Sequence, residues 1–154
     1  FLAAHLNYID DRHLEALASV PISVAYCPRA SAYFGHAQHP YREMLACGIN
    51  VALGTDSILC LDTPDRISVL DEMRLVHRRD GVDAIVLLRM ATINGAKALG
   101  WADRIGSLEP GKLADLVILS RSPLGGPAHI DEIRVLETIV GGESVWRADA
   151  ASAP

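Results

Sequence analysis

Val51, Ala52 and Leu53 are β-prone and apolar, Gly54 follows them, and Thr55, Asp56 and Ser57 come where a strand would end. Glycine lets the backbone turn tightly there, so the pattern holds one carboxylate, Asp56, rigidly at the rim of a sheet. In a barrel of alternating strands and helices, that rim is where chemistry is expected. A competing structural reading has the Asp56 side chain cap the following turn. His36 and His39 form the second group with chemical capacity. Histidines three residues apart can converge on one metal ion when a helix carries them, but these two sit in a glycine-containing loop, where the spacing sets little geometry. They are expected to face solvent or substrate. Cys27, Cys47 and Cys60 form no C-x-x-C pairing and read as small buried hydrophobes.

The elements that must position these groups follow from apolar periodicity and turn formers. Residues 2–6 read as the end of a buried parallel strand. A helix then starts after Asp10 or Asp11, either of which can cap it, with Leu14, Leu17 and Ala18 as its apolar stripe. Residues 22–27 are a second strand, ended by Pro28, which lacks a ladder donor. A loop over 29–40 leads to a helix at 41–47 that stops at Gly48, and the strand into Gly54 comes next. The loop shares the rim with Asp56 and holds Tyr33, Phe34, His36 and His39, an unusual density of rings suited to substrate contact.

Beyond Asp56, a turn-rich segment over 57–65 with Pro64 precedes a helix at 67–79. Its apolar face is Ile67, Leu70, Met73, Leu75 and Val76, and its charged residues are expected on the other face. Another helix is expected at 83–91. From Trp101 onward turn signals crowd together, and strands are expected at 114–119, 135–140 and 143–146, the last two around the hairpin-compatible pair Gly141-Gly142. Residues 148–154 read as a frayed tail. Half of the 154 residues are hydrophobic and 21% are charged, as in an ordinary α/β domain. A net charge of -5 gives no support to a nucleic-acid partner, no run of about 18 apolar residues offers a membrane span, and the unpaired cysteines point to a reducing cytoplasm.

Four stretches occur in a telling order: Ala4-His5-Leu6, Tyr26-Cys27-Pro28-Arg29-Ala30-Ser31, the run 48–57 around Leu53-Gly54-Thr55-Asp56, and the run 105–119 around Glu109-Pro110-Gly111-Lys112-Leu113-Ala114-Asp115. Together they resemble the amidohydrolase superfamily, in its branch of guanine, cytosine and adenosylhomocysteine deaminases and triazine hydrolases. The resemblance implies an α/β fold: the C-terminal part of a (β/α)8 TIM-type barrel over 1–100, strands of a small β-sandwich domain over 101–147, and a tail over 148–154. A complete barrel takes roughly 250 residues, so the chain is expected to be the C-terminal portion of a longer enzyme.

The same resemblance implies a divalent metal, zinc foremost with iron as the other choice. It implies hydrolysis of a C–N bond by metal-activated water, with a purine-, pyrimidine- or triazine-like ring as the small-molecule substrate. Asp56 matches the family carboxylate that ligates the metal and accepts the proton. His5 matches a catalytic histidine beside the substrate, where imidazole chemistry near neutral pH serves proton transfer. Ser31, His36 and His39 fall where substrate contacts are made, although Ala30-Ser31-Ala32 departs from the family pattern, and Cys27 falls where the family packs a cysteine. The remaining metal ligands, all histidines, and a proton-transferring glutamate are expected before Phe1. Strands near 2–6 and 51–53 would then lack neighbours, and such edges recruit other chains, so a homo-oligomer is expected. One carboxylate cannot hold a catalytic ion that takes about three protein ligands, which leaves a non-catalytic half-barrel remnant or interaction module as the alternative.

Overall fold

Short runs of apolar and small residues bounded by turn formers make three parallel strands, β1 (Leu2–Ala4), β2 (Ser23–Tyr26) and β3 (Asn50–Leu53), hydrogen-bonded in that order. The computed structural model describes residues 1–36, 38–63, 66–124 and 129–149. The register sets Ala4 opposite Ala25 and Tyr26 opposite Leu53, so the strands finish at one rim. Between β1 and β2 runs α1 (Asp11–Ala18), started by Asp10, whose side chain accepts from the His13 backbone while the His13 ring bonds back to the Asp10 N–H. Between β2 and β3 run α2 (Pro28–Tyr33) and α3 (Tyr41–Ala46).

Three further helices follow β3: α4 (Val69–Asp80), α5 (Ala84–Ala91) and α6 (Ile93–Ala98), the first two capped by Ser68 and Asp83. Val24, Tyr26, Val51 and Leu53 of the sheet pack with Met44, Met73, Val76, Leu87 and Met90 of the helices to make the core. A second, antiparallel sheet is built from β4 (Leu116–Leu119), β5 (Val135–Val140) and β6 (Glu143–Arg147). Gly141 and Gly142 join the last two at φ of 60° and 87°, the paired positive values that a tight two-residue hairpin needs. Helix α7 (His129–Glu132) and the residue after it bury Ile130 and Ile133, whose carbonyls both accept from Arg74 of α4. The α/β class read from the sequence is the class observed. Among the described residues no helix is long and apolar enough to cross a membrane.

Several expectations need correction. The first part of the expected loop at 29–40 is α2: Pro28 occupies its first turn, where a missing N–H costs nothing and the fixed φ suits a helix. The charged residues of α4 are not all outside, since Asp71 and Glu72 are buried. Ile67 is exposed, because Ser68 starts the helix after it. Among the described residues β3 has no strand beyond it, as expected, but Val51, Ala52 and Leu53 are buried and not exposed, because α5 and α6 lie against β3 and Asn94 Nδ2 donates to the Val51 carbonyl at 2.8 Å. Cys27 and Cys60 are buried as expected, but Cys47, at the end of α3, is exposed. Ala37, Pro64, Asp65 and the expected tail beyond Asp149 lie outside the described residues.

The buried charges of α4 meet Arg29 on α2. Glu72 has no exposed surface, and Arg29 donates to it from its backbone N–H at 2.9 Å and from Nε at 2.7 Å. Arg29 Nη1 reaches Asp62 at 3.1 Å and Thr63 at 2.8 Å. Burial raises the Glu72 carboxyl, and the bonds from Arg29 work against that rise. Burial also raises the Asp71 carboxyl, but the hydrogen bonds from Arg66 and Arg74 outweigh it and hold the group below the usual carboxylate range. Such a pair adds little over an apolar one, whereas losing one half strands a buried charge at a cost of about 3–5 kcal/mol. Arg29→Ala is expected to lower unfolding free energy by about that amount, and Arg29→Met combined with Glu72→Leu to lose clearly less. Denaturant titration checks it, and an equal loss in both variants would show that the two residues are not coupled.

Gly54 serves close approach rather than an unusual backbone angle. A β-carbon there would stand 3.1 Å from Cys27 Sγ, tighter than ordinary packing. Burial first, then the Asp56 and Glu72 carboxylates, push the Cys27 thiol up to about 11. It therefore stays protonated at neutral pH and packs, in keeping with the sequence reading. At pH 8 in the native protein, iodoacetamide is expected to modify Cys47 and to spare Cys27 until the chain unfolds. Peptide mass analysis reads this, and equal labelling of both would contradict it.

Candidate active site

The ladder runs one residue past each outer strand before the chain turns away. His5 N–H donates to the Ala25 carbonyl at 2.9 Å, and Gly54 N–H donates to the Tyr26 carbonyl at 2.8 Å. There His5 and Leu6 take φ of 67° and 60°, and two residues past Gly54 Asp56 takes φ of 56°. These are the non-glycine residues in the left-handed region among those described. Histidine and aspartate tolerate that region better than most residues, yet each such position is held only by its surroundings. The turns bring together two side chains that started on strands with β2 between them. His5 Nε2 lies 3.9 Å from Asp56 Oδ2, in ion-pair range and beyond a hydrogen bond, with the side chains 42% and 32% exposed.

His5 and Asp56 line a cavity of about 610 Å3, a size that suits a small molecule. Its other walls are the segment 6–9 after β1, Ala30 and Ser31 of α2, and Phe34 and His36 beyond it. Ser31 is buried and donates from Oγ to Asn7 Oδ1 at 3.0 Å, which ties α2 to the turn after β1. Tyr8 OH and His36 Nδ1 are 2.6 Å apart, with their rings edge to face, so the two loops meet across the cavity mouth. Asp56, His5, Ser31 and His36 thus share one cavity.

His39 does not line it. The residue is 7% exposed, its ring stacks on Tyr26 with centroids 4.0 Å apart, and Nε2 bonds the His5 carbonyl. Its neighbour in sequence, Pro40, opens α3, whose first residue Tyr41 is buried, and this draws His39 inward from the loop. Burial holds its imidazole below the usual histidine range, so the ring is neutral at neutral pH. Asn7 and Tyr8 also line the cavity, and no motif in the sequence marks them. Their signal was position: a polar and an aromatic residue directly after a histidine that ends a strand.

A catalytic divalent ion takes about three protein ligands. Among the described residues no group of three or more histidine, cysteine, aspartate or glutamate side chains is placed to hold one. Asp56 offers one oxygen donor, which fits part of a metal centre and not a whole one, and the His5 imidazole stands 3.9 Å from it.

The sequence model of the amidohydrolase family matches residues 1–145. The chain is 38% identical over 134 residues to the S-triazine hydrolase of Gordonia rubripertincta, covering 83% of this chain and 28% of that protein. It is 37% identical over 123 residues to a 5-methylthioadenosine/S-adenosylhomocysteine deaminase of Moorella thermoacetica, covering 77% of this chain and 29% of that protein. In three dimensions it superposes on an adenosine deaminase from Xanthomonas campestris with bound zinc, with a TM-score of 0.80 at 26% identity, over 99% of this chain and 39% of that one. It also superposes on a mutant atrazine chlorohydrolase from Arthrobacter aurescens complexed with zinc and atraton, with a TM-score of 0.79 at 25% identity, over 95% of this chain and 36% of that one. The chain spans under a third of the length of the two curated relatives. The family match runs through both sheets and through the strand ends that carry His5 and Asp56, and on that ground the chain belongs to the amidohydrolase family.

Proposed function

We propose that these residues form the C-terminal part of a barrel hydrolase that breaks a C–N bond with metal-activated water, deaminating a purine-, pyrimidine- or triazine-like ring. In this reading β1 to β3 are strands of a (β/α)8 barrel, residues 101–147 belong to a small β-sandwich, and the remaining metal ligands come from outside this chain. The observation that carries it is the meeting of His5 and Asp56 at 3.9 Å, each left-handed and within three residues of the end of a parallel strand. The names of the relatives, two deaminases, an S-triazine hydrolase and an atrazine chlorohydrolase, support hydrolysis, and the two deaminases support an amino leaving group.

A divalent metal, zinc by preference, would supply an activated water when bound, with Asp56 as one of its ligands. Asp56 is placed to give one oxygen ligand and to take the proton that the water loses. With such an ion bound, that water would replace the amino group on the ring carbon, and Asp56 would return the proton to the departing nitrogen, which leaves as ammonia. His5 stands at the same cavity wall, placed to hold charge or a proton on the ring side of that exchange. Ser31 and His36 shape the space in which the ring sits. The exposed outer side of β1, where Leu2 is 50% exposed, is the edge that the rest of the barrel or a second copy would cover.

The test is ammonia release from a panel of ring amines by the full-length, zinc-loaded protein. Asp56→Asn, which keeps size but removes the base, is expected to lose both bound metal and turnover. His5→Ala is expected to lose about two orders of magnitude in turnover while keeping its metal. Full metal content and normal turnover in Asp56→Asn, or loss of metal in His5→Ala, would overturn the assignment.

A further inference from the structure

His39 is buried behind the cavity, and no step above uses it. Its ring is fixed on several sides. It stacks on Tyr26, which in turn stacks on Tyr41 with centroids 5.2 Å apart. The Tyr26 hydroxyl accepts from Arg79 Nη2 at 2.8 Å, and the Tyr41 hydroxyl donates to Asp80 at 2.7 Å. Helix α4 therefore braces both rings that hold His39. From that braced position Nε2 reaches the carbonyl of His5, 34 positions away in sequence. A carbonyl only accepts, so Nε2 carries the proton and Nδ1 is left as a bare lone pair. Nδ1 is buried with no hydrogen-bond partner among the described residues. A leucine or phenylalanine would fill this space without burying a bare nitrogen, so filling space does not explain the choice of histidine.

We infer that His39 is a positioning residue: its Nε2–H, anchored to the His5 carbonyl, holds His5 in the left-handed conformation that turns its imidazole toward Asp56. The carbonyl in question belongs to the residue at φ 67°, and the next residue, Leu6, is also left-handed. The ladder bond from His5 N–H to Ala25 fixes the peptide unit before the His5 Cα, and His39 fixes the peptide unit after it. Burial keeps the His39 ring neutral, as a single-donor anchor requires. The catalytic consequence rests on the proposed role of His5, whereas the backbone consequence does not.

The experiment compares His39→Gln, whose side-chain N–H can replace Nε2–H, with His39→Leu, which has no donor, both in the full-length zinc-loaded protein. His39→Leu is expected to lower kcat by about tenfold or more with KM and metal content little changed, as small misplacements of a reacting group do, and His39→Gln to recover most of it. Crystal structures of both variants give a readout independent of activity: His5 keeps its positive φ in His39→Gln and leaves that region in His39→Leu. Nitrogen NMR of the histidine-labelled parent protein is expected to show His39 as the neutral Nε2–H tautomer. A left-handed His5 in His39→Leu, an Nδ1–H tautomer in the parent, or a folded His39→Gln as impaired as His39→Leu would each overturn the inference. If no ring amine yields ammonia, the proposed reaction fails, and the crystal and NMR readouts still decide the role of His39. If His39→Leu does not fold, the parent tautomer and His39→Gln decide it.

Discussion

A carboxylate without access to water must be met by donors, and Glu72 is met twice by Arg29. Because one of the two donors is the backbone N–H of Arg29, the contact fixes the main chain at the start of α2 as well as a side chain. With Pro28 setting φ in the same turn, the chain has to leave β2 directly into a helix at the rim of the sheet. That exit presents Ser31 to the cavity and leaves Cys27 under Gly54, where a β-carbon would crowd its sulfur. The path of β3 out of the sheet is limited in turn, and Asp56 stands at the end of that path. Asp71 and Glu72 lie in the first turn of α4, where the helix dipole favours negative charge. Arg29 draws in Asp62 and Thr63 from the segment after β3. One buried carboxylate thus links the exits of two strands.

The strain in the backbone is concentrated where chemistry is proposed. Other positive φ values fall on glycines in turns and hairpins, where they are cheap. His5, Leu6 and Asp56 pay for theirs, at about 1–3 kcal/mol each. Such a cost persists when the surroundings over-determine the conformation, and here they do. Ladder bonds hold His5 and Gly54, His39 holds the His5 carbonyl, and Leu6 packs against the core. Two side chains from strands that are not neighbours can then face each other across a gap of 3.9 Å.

Much of this arrangement was legible from residue order. An apolar run into Gly-Thr-Asp marks a strand end with a carboxylate on the rim, and Asp10, Gly48 and Gly141-Gly142 mark element boundaries by local chemistry that needs no distant partner. What could not be read depends on partners far away in sequence. The inward turn of Asp71 and Glu72 comes from Arg29, whose pairing with Glu72 spans 43 positions, and helical periodicity alone puts charge outside. Helix α2 is six residues long, too short for a periodic signal, and Pro28 reads equally as a strand end or a helix start. His36 and His39 looked alike in a loop. The buried start of α3 then separated them, one to the cavity and the other to the core. The role of Gly54 was visible as a glycine requirement but not as contact with a sulfur atom.

In the proposed metal hydrolase centre, Asp56 and His5 hold one side with distinct duties. The most direct measurement is the crystal structure of the zinc-loaded full-length protein with diffraction data collected at the zinc edge. A carboxylate oxygen of Asp56 is expected at about 2.0–2.2 Å from the ion, with the His5 imidazole beside it but outside the ligand set. Zinc bound away from this cavity, or held by His5 with Asp56 turned aside, would contradict it.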